Sequence, residues 1–265
     1  MDTRPSALEA LAATPAAAVL VLDFDGVLAP IVDDPDASAM PAETRLSLSS
    51  LAGALGMVAV ISGRPAAFLA DRVGVPGIRL LGSYGMEQVR DGQEWLDPAA
   101  RAWLGAVTAA IGSLAEQLDG TPGIRVEAKP ASVAVHWRQA PDRAAAAELV
   151  RAATRRVATA TGLRLTPGKL VEELRPPVDT DKGSAVAALV TAERPAAVAY
   201  AGDDLGDMPA LRAVHRAGGY ALVVDHGAET DPRLLEVADE VYQGTAGFAA
   251  WLAALAAAAR AGQRS

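Results

Sequence analysis

The chain contains no cysteine. Disulfides, thiolate nucleophiles and cysteine-held metals are therefore excluded, and cytoplasmic residence is the expectation. Lysine is scarce. Of 24 basic residues only Lys129, Lys169 and Lys182 are Lys, and the rest are Arg. Where Arg replaces Lys so widely, the surviving lysines are candidates for places needing a compact, flexible ammonium. No apolar run approaches the ~20 residues of a membrane span. The stretch Ala16–Leu22 runs straight into Asp23 and reads as a buried strand rather than an export signal. Basic patches for nucleic acid or anionic membrane are missing too, since 32 acidic residues leave a net charge of −8. Neither partner is expected, and the sequence leaves oligomeric state open. An acidic protein that handles an anion must concentrate positive charge locally, and a divalent cation is the usual means.

What is present is core material: 51% of the 265 residues are hydrophobic. Short apolar runs bounded by turn residues read as buried parallel strands: Val19–Leu22, Met57–Ile61, Arg79–Leu81, Ala197–Ala201 and Tyr220–Val224. Helical patterns lie between several of them, at about 42–55, 66–73, 183–191 and 209–217. Alternating strand and helix predicts a doubly wound, Rossmann-like α/β sheet, whose ligands sit beyond the carboxyl ends of the strands. The middle of the chain alternates polar and apolar residues around two long helical patterns. It predicts an inserted α+β module over 84–177, with Trp95 and Trp103 in its core, flanked by core segments 1–83 and 178–265.

Polar motifs fall at the predicted strand ends. Asp23-Phe24-Asp25-Gly26 follows the first run, and Gly202-Asp203-Asp204-Leu205-Gly206-Asp207 follows the fourth. Two close carboxylates repel unless a cation or proton joins them, and hard cations take oxygen ligands. Capping aspartates at a turn or helix start would give the same pattern locally. Ser62-Gly63-Arg64 offers a hydroxyl, a permissive backbone and amides for phosphate oxygens. Lys182 opens a predicted helix, where it serves either as a solvated end or as a bridge to Asp23 and phosphate.

Taken in order, D-x-D-G, S-G-R, lysine and G-D-D-x-x-D resemble the four motifs of the haloacid-dehalogenase phosphatases. The resemblance implies that Asp23 attacks phosphorus and that Asp25 protonates the leaving alcohol and then activates water. It implies that Ser62 hydrogen-bonds the transferring group, with Gly63 and Arg64 beside it, and that Lys182 offsets its charge. It implies a Mg2+ ion held by Asp23, the Asp25 carbonyl and Asp203, with Asp204 and Asp207 standing behind these ligands.

The inserted module carries a second resemblance. Glu127-x-Lys129-x-x-Ser132-x-x-x-His136-Trp137-Arg138, then Gly168-Lys169-x-x-x-Glu173-x-Arg175-Pro176, then Lys182-Gly183, are similar to the cap motifs of trehalose-6-phosphate phosphatases. All three lysines fall on these positions. The family implies sugar contacts from Glu127, Lys129, Arg138, Lys169 and Glu173, and a sugar-phosphate substrate. The same residues would otherwise read as cross-strand salt bridges on a solvated face. His136 reads as orienting its strand; His215 and His226 match no motif. The chain departs from the family at Val27, Gly206, Met208 and Tyr84, where Thr, Thr, Glu and His are usual. None of these removes a catalytic group. A related pseudo-disaccharide or other sugar phosphate, a phosphomutase, and a non-catalytic sugar-phosphate-binding domain are the alternative functions.

Overall fold

The computed structural model describes residues 4–32, 37–90, 92–168 and 170–262. The chain divides into two compact units, Met1–Trp95 with Thr180–Ser265, and Leu96–Asp179.

The larger unit is built on one eight-stranded sheet. Its strands are β1 (Ala18–Leu22), β2 (Met57–Ile61), β3 (Arg79–Gly82), β4 (Glu87–Arg90), β5 (Gln93–Leu96), and, after four strands of the smaller unit, β10 (Ala197–Gly202), β11 (Tyr220–Asp225) and β12 (Glu240–Gln243). The spatial order is β12-β11-β10-β1-β2-β3-β4-β5, with β12 through β3 parallel and β4 antiparallel to β3. The order reverses between β1 and β10, so the sheet has its switch point there. Alternation along β1 sorts its side chains between two cores. Ala18, Leu20 and Leu22 face one, which includes residues of helices α1 (Ala7–Ala13), α2 (Ala42–Ala54), α3 (Ala66–Val73) and α10 (Gly244–Gly262). Val19 and Val21 face the other, with residues of α7 (Lys182–Glu193), α8 (Met208–Arg216) and α9 (Pro232–Val237). With both faces covered, every β1 residue is buried, as the uninterrupted apolar run requires.

The smaller unit holds helices α4 (Pro98–Arg101), α5 (Leu104–Leu118) and α6 (Arg143–Thr161), and a second sheet. That sheet contains β6 (Arg125–Ala128), β7 (Val133–His136), β8 (Arg164–Gly168) and β9 (Val171–Arg175), in the antiparallel order β6-β7-β9-β8. Val126, Val133, Val135, Leu165 and Leu174 pack with α5 and α6 residues in one core. Asp142 caps α6 by accepting from the Ala144 and Ala145 amides, and Gly162 ends it at φ 75°.

Two expectations need correction. The hairpin β4–β5 joins the large sheet by antiparallel pairing with β3, so the unit boundary lies after Trp95 rather than at Tyr84. A period-2 pattern states that a strand exists but not which sheet accepts it. Trp95, expected in the module's core, instead lies on β5 of the large sheet and is 43% exposed. Among the described residues no helix is long and apolar enough to cross a membrane.

Candidate active site

Strand ends at the switch point converge four segments of the larger unit. Asp23 follows β1, Ser62 follows β2, Asp203 follows β10, and Lys182 opens α7. The loop after β1 turns at Gly26, whose φ of +78° favours glycine. A β-carbon there would lie 2.1 Å from Asp203 Oδ2, so the two acidic loops meet only because this residue has no side chain.

Asp23 is buried. Its Oδ2 lies 2.9 Å from Lys182 Nζ, while its Oδ1 is buried without a hydrogen-bond partner. Lys182 Nζ also reaches Asp207 Oδ1 at 2.6 Å, and the buried Tyr200 hydroxyl donates to that same oxygen at 2.5 Å. Asp207 Oδ2 accepts from the Asp203 amide at 2.9 Å and the Asp204 amide at 3.2 Å. Both Asp207 oxygens therefore accept two hydrogen bonds each. Asp207 fixes the ammonium on one side and the backbone of the second acidic loop on the other. Asp204 is turned to its own loop and accepts from the Gly206 amide at 2.8 Å.

The electrostatics follow from burial. Burial pushes Asp23 well above the ordinary carboxylate range; Lys182 pulls it back, and Asp207, Asp203 and Asp204 add to the rise. Burial likewise pushes Asp203 up to about 8, helped by Asp207 and Asp204 and opposed by Lys182. Burial alone disfavours the Lys182 ammonium, but Asp207 and Asp23 outweigh it and hold its pKa well above the usual lysine value.

One ammonium thus faces three buried carboxylates. Oxygens of Asp23, Asp203 and Asp207 lie within 4.8 Å of one another. The donor set is all oxygen, carries excess negative charge, and leaves one Asp23 oxygen unengaged. Those are the properties of a hard divalent cation site. A divalent ion together with Lys182 would balance the three aspartates charge for charge. Asp23 and Asp203 are the available ligands, because Asp207 is already saturated.

The Ser62-Gly63-Arg64 turn lies beside this cluster in the sheet order. Ser62 Oγ accepts from the Arg64 amide at 3.1 Å, closing the turn and leaving its hydroxyl proton to donate. A β-carbon at Gly63 would lie 2.9 Å from the Tyr84 ring. Ser83 (φ 47°) and Tyr84 (φ 61°) hold left-handed backbone, and their amides donate to the Arg64 and Ser62 carbonyls. Arg64, expected beside phosphate, forks onto Asp25 instead: Nε to Oδ2 at 2.8 Å and Nη2 to Oδ1 at 3.0 Å. Ser38 Oγ donates to Asp25 Oδ1 at 2.9 Å. Both Asp25 oxygens are engaged in this arrangement.

In the smaller unit, register places Glu127, Ala134, Glu173 and Thr166 in one row across the sheet face opposite the helices. Glu173 Oε1 accepts from Lys129 Nζ at 3.0 Å and from Ser132 Oγ at 2.5 Å. The Lys129 and Glu173 side chains are only 11% and 10% exposed, so this is not a solvated surface bridge. Glu127 Oε2 meets His136 Nε2 at 2.6 Å. That hydrogen bond pulls Glu127 down to about 2, against its burial and with help from Lys129. Arg138 lies half-buried in the turn after β7. Among the described residues its guanidinium makes no hydrogen bond or ion pair. Lys169 lies outside the described residues.

The model of the trehalose-phosphatase family matches residues 21–233 of this chain. The chain belongs to the trehalose-phosphatase family. Two curated relatives carry the corresponding name. It is 39% identical over 244 residues to a Mycobacterium marinum protein named trehalose-phosphate phosphatase, covering 87% of this chain and 61% of that one. A Mycobacterium avium protein of the same name is 41% identical over 220 residues, covering 79% and 55%. The chain thus spans 61% and 55% of the length of these two relatives. Among solved structures, a trehalose-6-phosphate phosphatase related protein has a TM-score of 0.79 at 21% identity, covering 93% of this chain and 100% of that one. A haloacid dehalogenase-like hydrolase from Bacteroides thetaiotaomicron has a TM-score of 0.62 at 15% identity, covering 88% and 97%. The fold is accordingly the haloacid-dehalogenase α/β fold, as the four strand-end motifs predict.

Three residues near the site were not singled out from the sequence. Tyr200 sits inside an apolar strand run, where a tyrosine reads as core. Ser38 belongs to no motif. His226 follows β11, and its Nε2 lies 2.8 Å from the Gly26 carbonyl and 3.8 Å from Asp203 Oδ2. The one available signal for His226 was its position, since a polar residue directly after a buried parallel strand faces the ligand side of the sheet.

Proposed function

We propose that this chain is a Mg2+-dependent phosphatase of trehalose 6-phosphate or a closely related disaccharide phosphate, working through an aspartyl phosphate on Asp23. The observation that carries the proposal is the state of Asp23. It is a buried carboxylate with one oxygen held by Lys182 and the other left without a partner, between two acidic loops. Family membership and the names of the relatives support the substrate class.

In the first step an Asp23 oxygen bonds to phosphorus and the bond from phosphorus to the sugar oxygen breaks. Asp25 gives that oxygen its proton, and the free sugar leaves. In the second step water attacks phosphorus, Asp25 takes the water's proton, and the bond from Asp23 to phosphorus breaks to release inorganic phosphate. A bound divalent ion, held by Asp23 and Asp203, supplies charge that keeps Asp23 ionised and offsets the anionic phosphoryl group. Lys182 contributes a fixed positive charge to the same group, and Ser62 contributes a hydroxyl donor. Catalysis of this kind rests on positioning and charge compensation. Asp25 can do its work only after its carboxyl gives up part of the Arg64 and Ser38 clasp. In the smaller unit, carboxylate and ammonium groups on the sheet face opposite the helices suit a hydroxyl-rich sugar. Glu127, Lys129 and Glu173 are the contacts, with Arg138 and Lys169 completing the set that the family motifs assign.

The test is phosphate release from a panel of sugar phosphates, with and without Mg2+, using the wild-type chain and Asp23→Asn. Release confined to disaccharide phosphates, needing Mg2+ and lost in Asp23→Asn, is the expected result. Undiminished release by Asp23→Asn would overturn the proposal.

A further inference from the structure

His226 stands one strand beyond the acidic loops, at the exit of β11, where no motif of the sequence placed a functional group. Its backbone amide donates to Thr230 Oγ1 at 2.7 Å. The preceding Asp225 accepts from the Gly227 amide at 2.9 Å and from the Gln243 side-chain amide Nε2 at 3.0 Å. The turn carrying the imidazole is therefore anchored on both sides. The partner of Nε2 is a carbonyl oxygen, which only accepts. Nε2 must therefore carry the proton and donate, whatever the state of Nδ1.

That carbonyl belongs to Gly26, the residue whose missing side chain lets the Asp203 carboxylate approach the first acidic loop. Within the loop, the Gly26 amide donates to the Ala29 carbonyl at 2.8 Å. Gly26 is thus held from inside through its N–H and from outside, by His226, through its C=O. The same Nε2 lies 3.8 Å from Asp203 Oδ2. One imidazole therefore bonds the first acidic loop and stands 3.8 Å from the Asp203 carboxylate of the second.

From this geometry we infer that His226 is a positioning residue that clamps the Asp23–Gly26 loop against Asp203 and so sets the affinity for the divalent ion. The inference rests on the reading above only in taking Asp23 and Asp203 as the ligands. Groups that orient metal ligands through hydrogen bonds are worth about 10–100-fold in metal affinity. The imidazole is 20% exposed, so its loss leaves a small, partly wet notch rather than a core cavity.

The experiment titrates Mg2+ calorimetrically into the full chain without substrate, for wild type, His226→Ala, His226→Gln and His226→Met. Glutamine places an amide N–H at about the reach of Nε2, whereas methionine fills the space without a donor. The expected result is Mg2+ binding weakened at least 10-fold in His226→Ala and His226→Met, and restored to within about threefold of wild type in His226→Gln. Wild-type affinity in His226→Met would overturn the inference, and so would a glutamine variant as weak as alanine. Phosphate release is measured in parallel. Wild-type protein that binds Mg2+ but releases no phosphate would sink the proposed function while leaving the role of His226 standing. Wild-type protein that binds no Mg2+ would remove both.

Discussion

Asp207→Asn is the sharpest perturbation the structure offers, because the wild-type carboxylate is fully buried and all of its hydrogen-bonding capacity is used. An amide in its place keeps one oxygen. The other position becomes an NH2 that faces two donors: either Lys182 Nζ with the Tyr200 hydroxyl, or the Asp203 and Asp204 amides. Each buried donor left unsatisfied costs about 1–3 kcal/mol, and breaking a buried ion pair by removing one partner costs about 3–5 kcal/mol. These figures overlap and do not add. Against them stands relief of repulsion, since Asp207 raises the pKa of both Asp23 and Asp203. That relief is partial, because burial raises both groups more than Asp207 does. The loss therefore wins, and destabilisation of about 3 kcal/mol is expected. Tyr200→Phe removes a single neutral donor and should cost about 1 kcal/mol. Because the chain has two units, one global unfolding curve would mix them. Hydrogen exchange of the β1 and β10 amides, followed by mass spectrometry, reads the larger unit alone. If Asp207→Asn changes their opening free energy by less than about 1 kcal/mol, the account of Asp207 as the cluster's keystone is wrong.

Three further outcomes follow from the geometry. Gly26→Ala puts a β-carbon 2.1 Å from Asp203 Oδ2 at a φ of +78°; Mg2+ affinity should fall more than 10-fold, and an unchanged calorimetric titration would contradict the loop packing. Glu173→Ala should cut turnover of a disaccharide phosphate far more than turnover of a small aryl phosphate, and equal losses on both would remove Glu173 from substrate recognition. The Glu127 carboxyl is held at about 2 against an ordinary 4.5, so the folded state binds its proton more weakly than the unfolded state does. The associated stability is present above about 4.5 and lost as pH falls toward 2, to the extent of about 2–3 kcal/mol. Glu127→Gln should flatten that part of the acid-unfolding profile of the smaller unit, and an unaltered profile would deny the His136 bond its effect.

Much of the larger unit was legible because buried parallel strands announce themselves. Val19–Leu22, Met57–Ile61 and Tyr220–Val224 are uninterrupted apolar runs, and each ends in polar or turn residues that the sheet must place at its ligand side. The pairing of Lys182 with both Asp23 and Asp207 was only half legible. The motif order placed the lysine near Asp23, but its bond to Asp207 depends on how a turn after β10 folds back on α7. Arg64 illustrates the limit more strongly. Its sequence neighbours suit an anion, yet a planar guanidinium finds the Asp25 carboxylate first, with two bonds in a fork that phosphate would otherwise receive. The fate of the β4–β5 hairpin was invisible for a different reason, since a strand's own pattern carries no address for its partner.

Adjacent glutamates in β9 show how the small sheet separates architecture from chemistry. Successive strand residues point to opposite faces. Glu172 therefore turns toward the helices, where Thr154 of α6 donates to it and Arg151 lies 3.9 Å away. Glu173 turns to the opposite face, where Lys129 and Ser132 share a single oxygen of its carboxylate. A carboxylate on the core side of a sheet is tolerated only with donors such as Thr154 to satisfy it. Glu173, on the opposite face, is buried as well and carries the same demand, which Lys129 and Ser132 meet at its Oε1. In the row that continues from it, a buried Ala134 stands between Glu173 and Glu127.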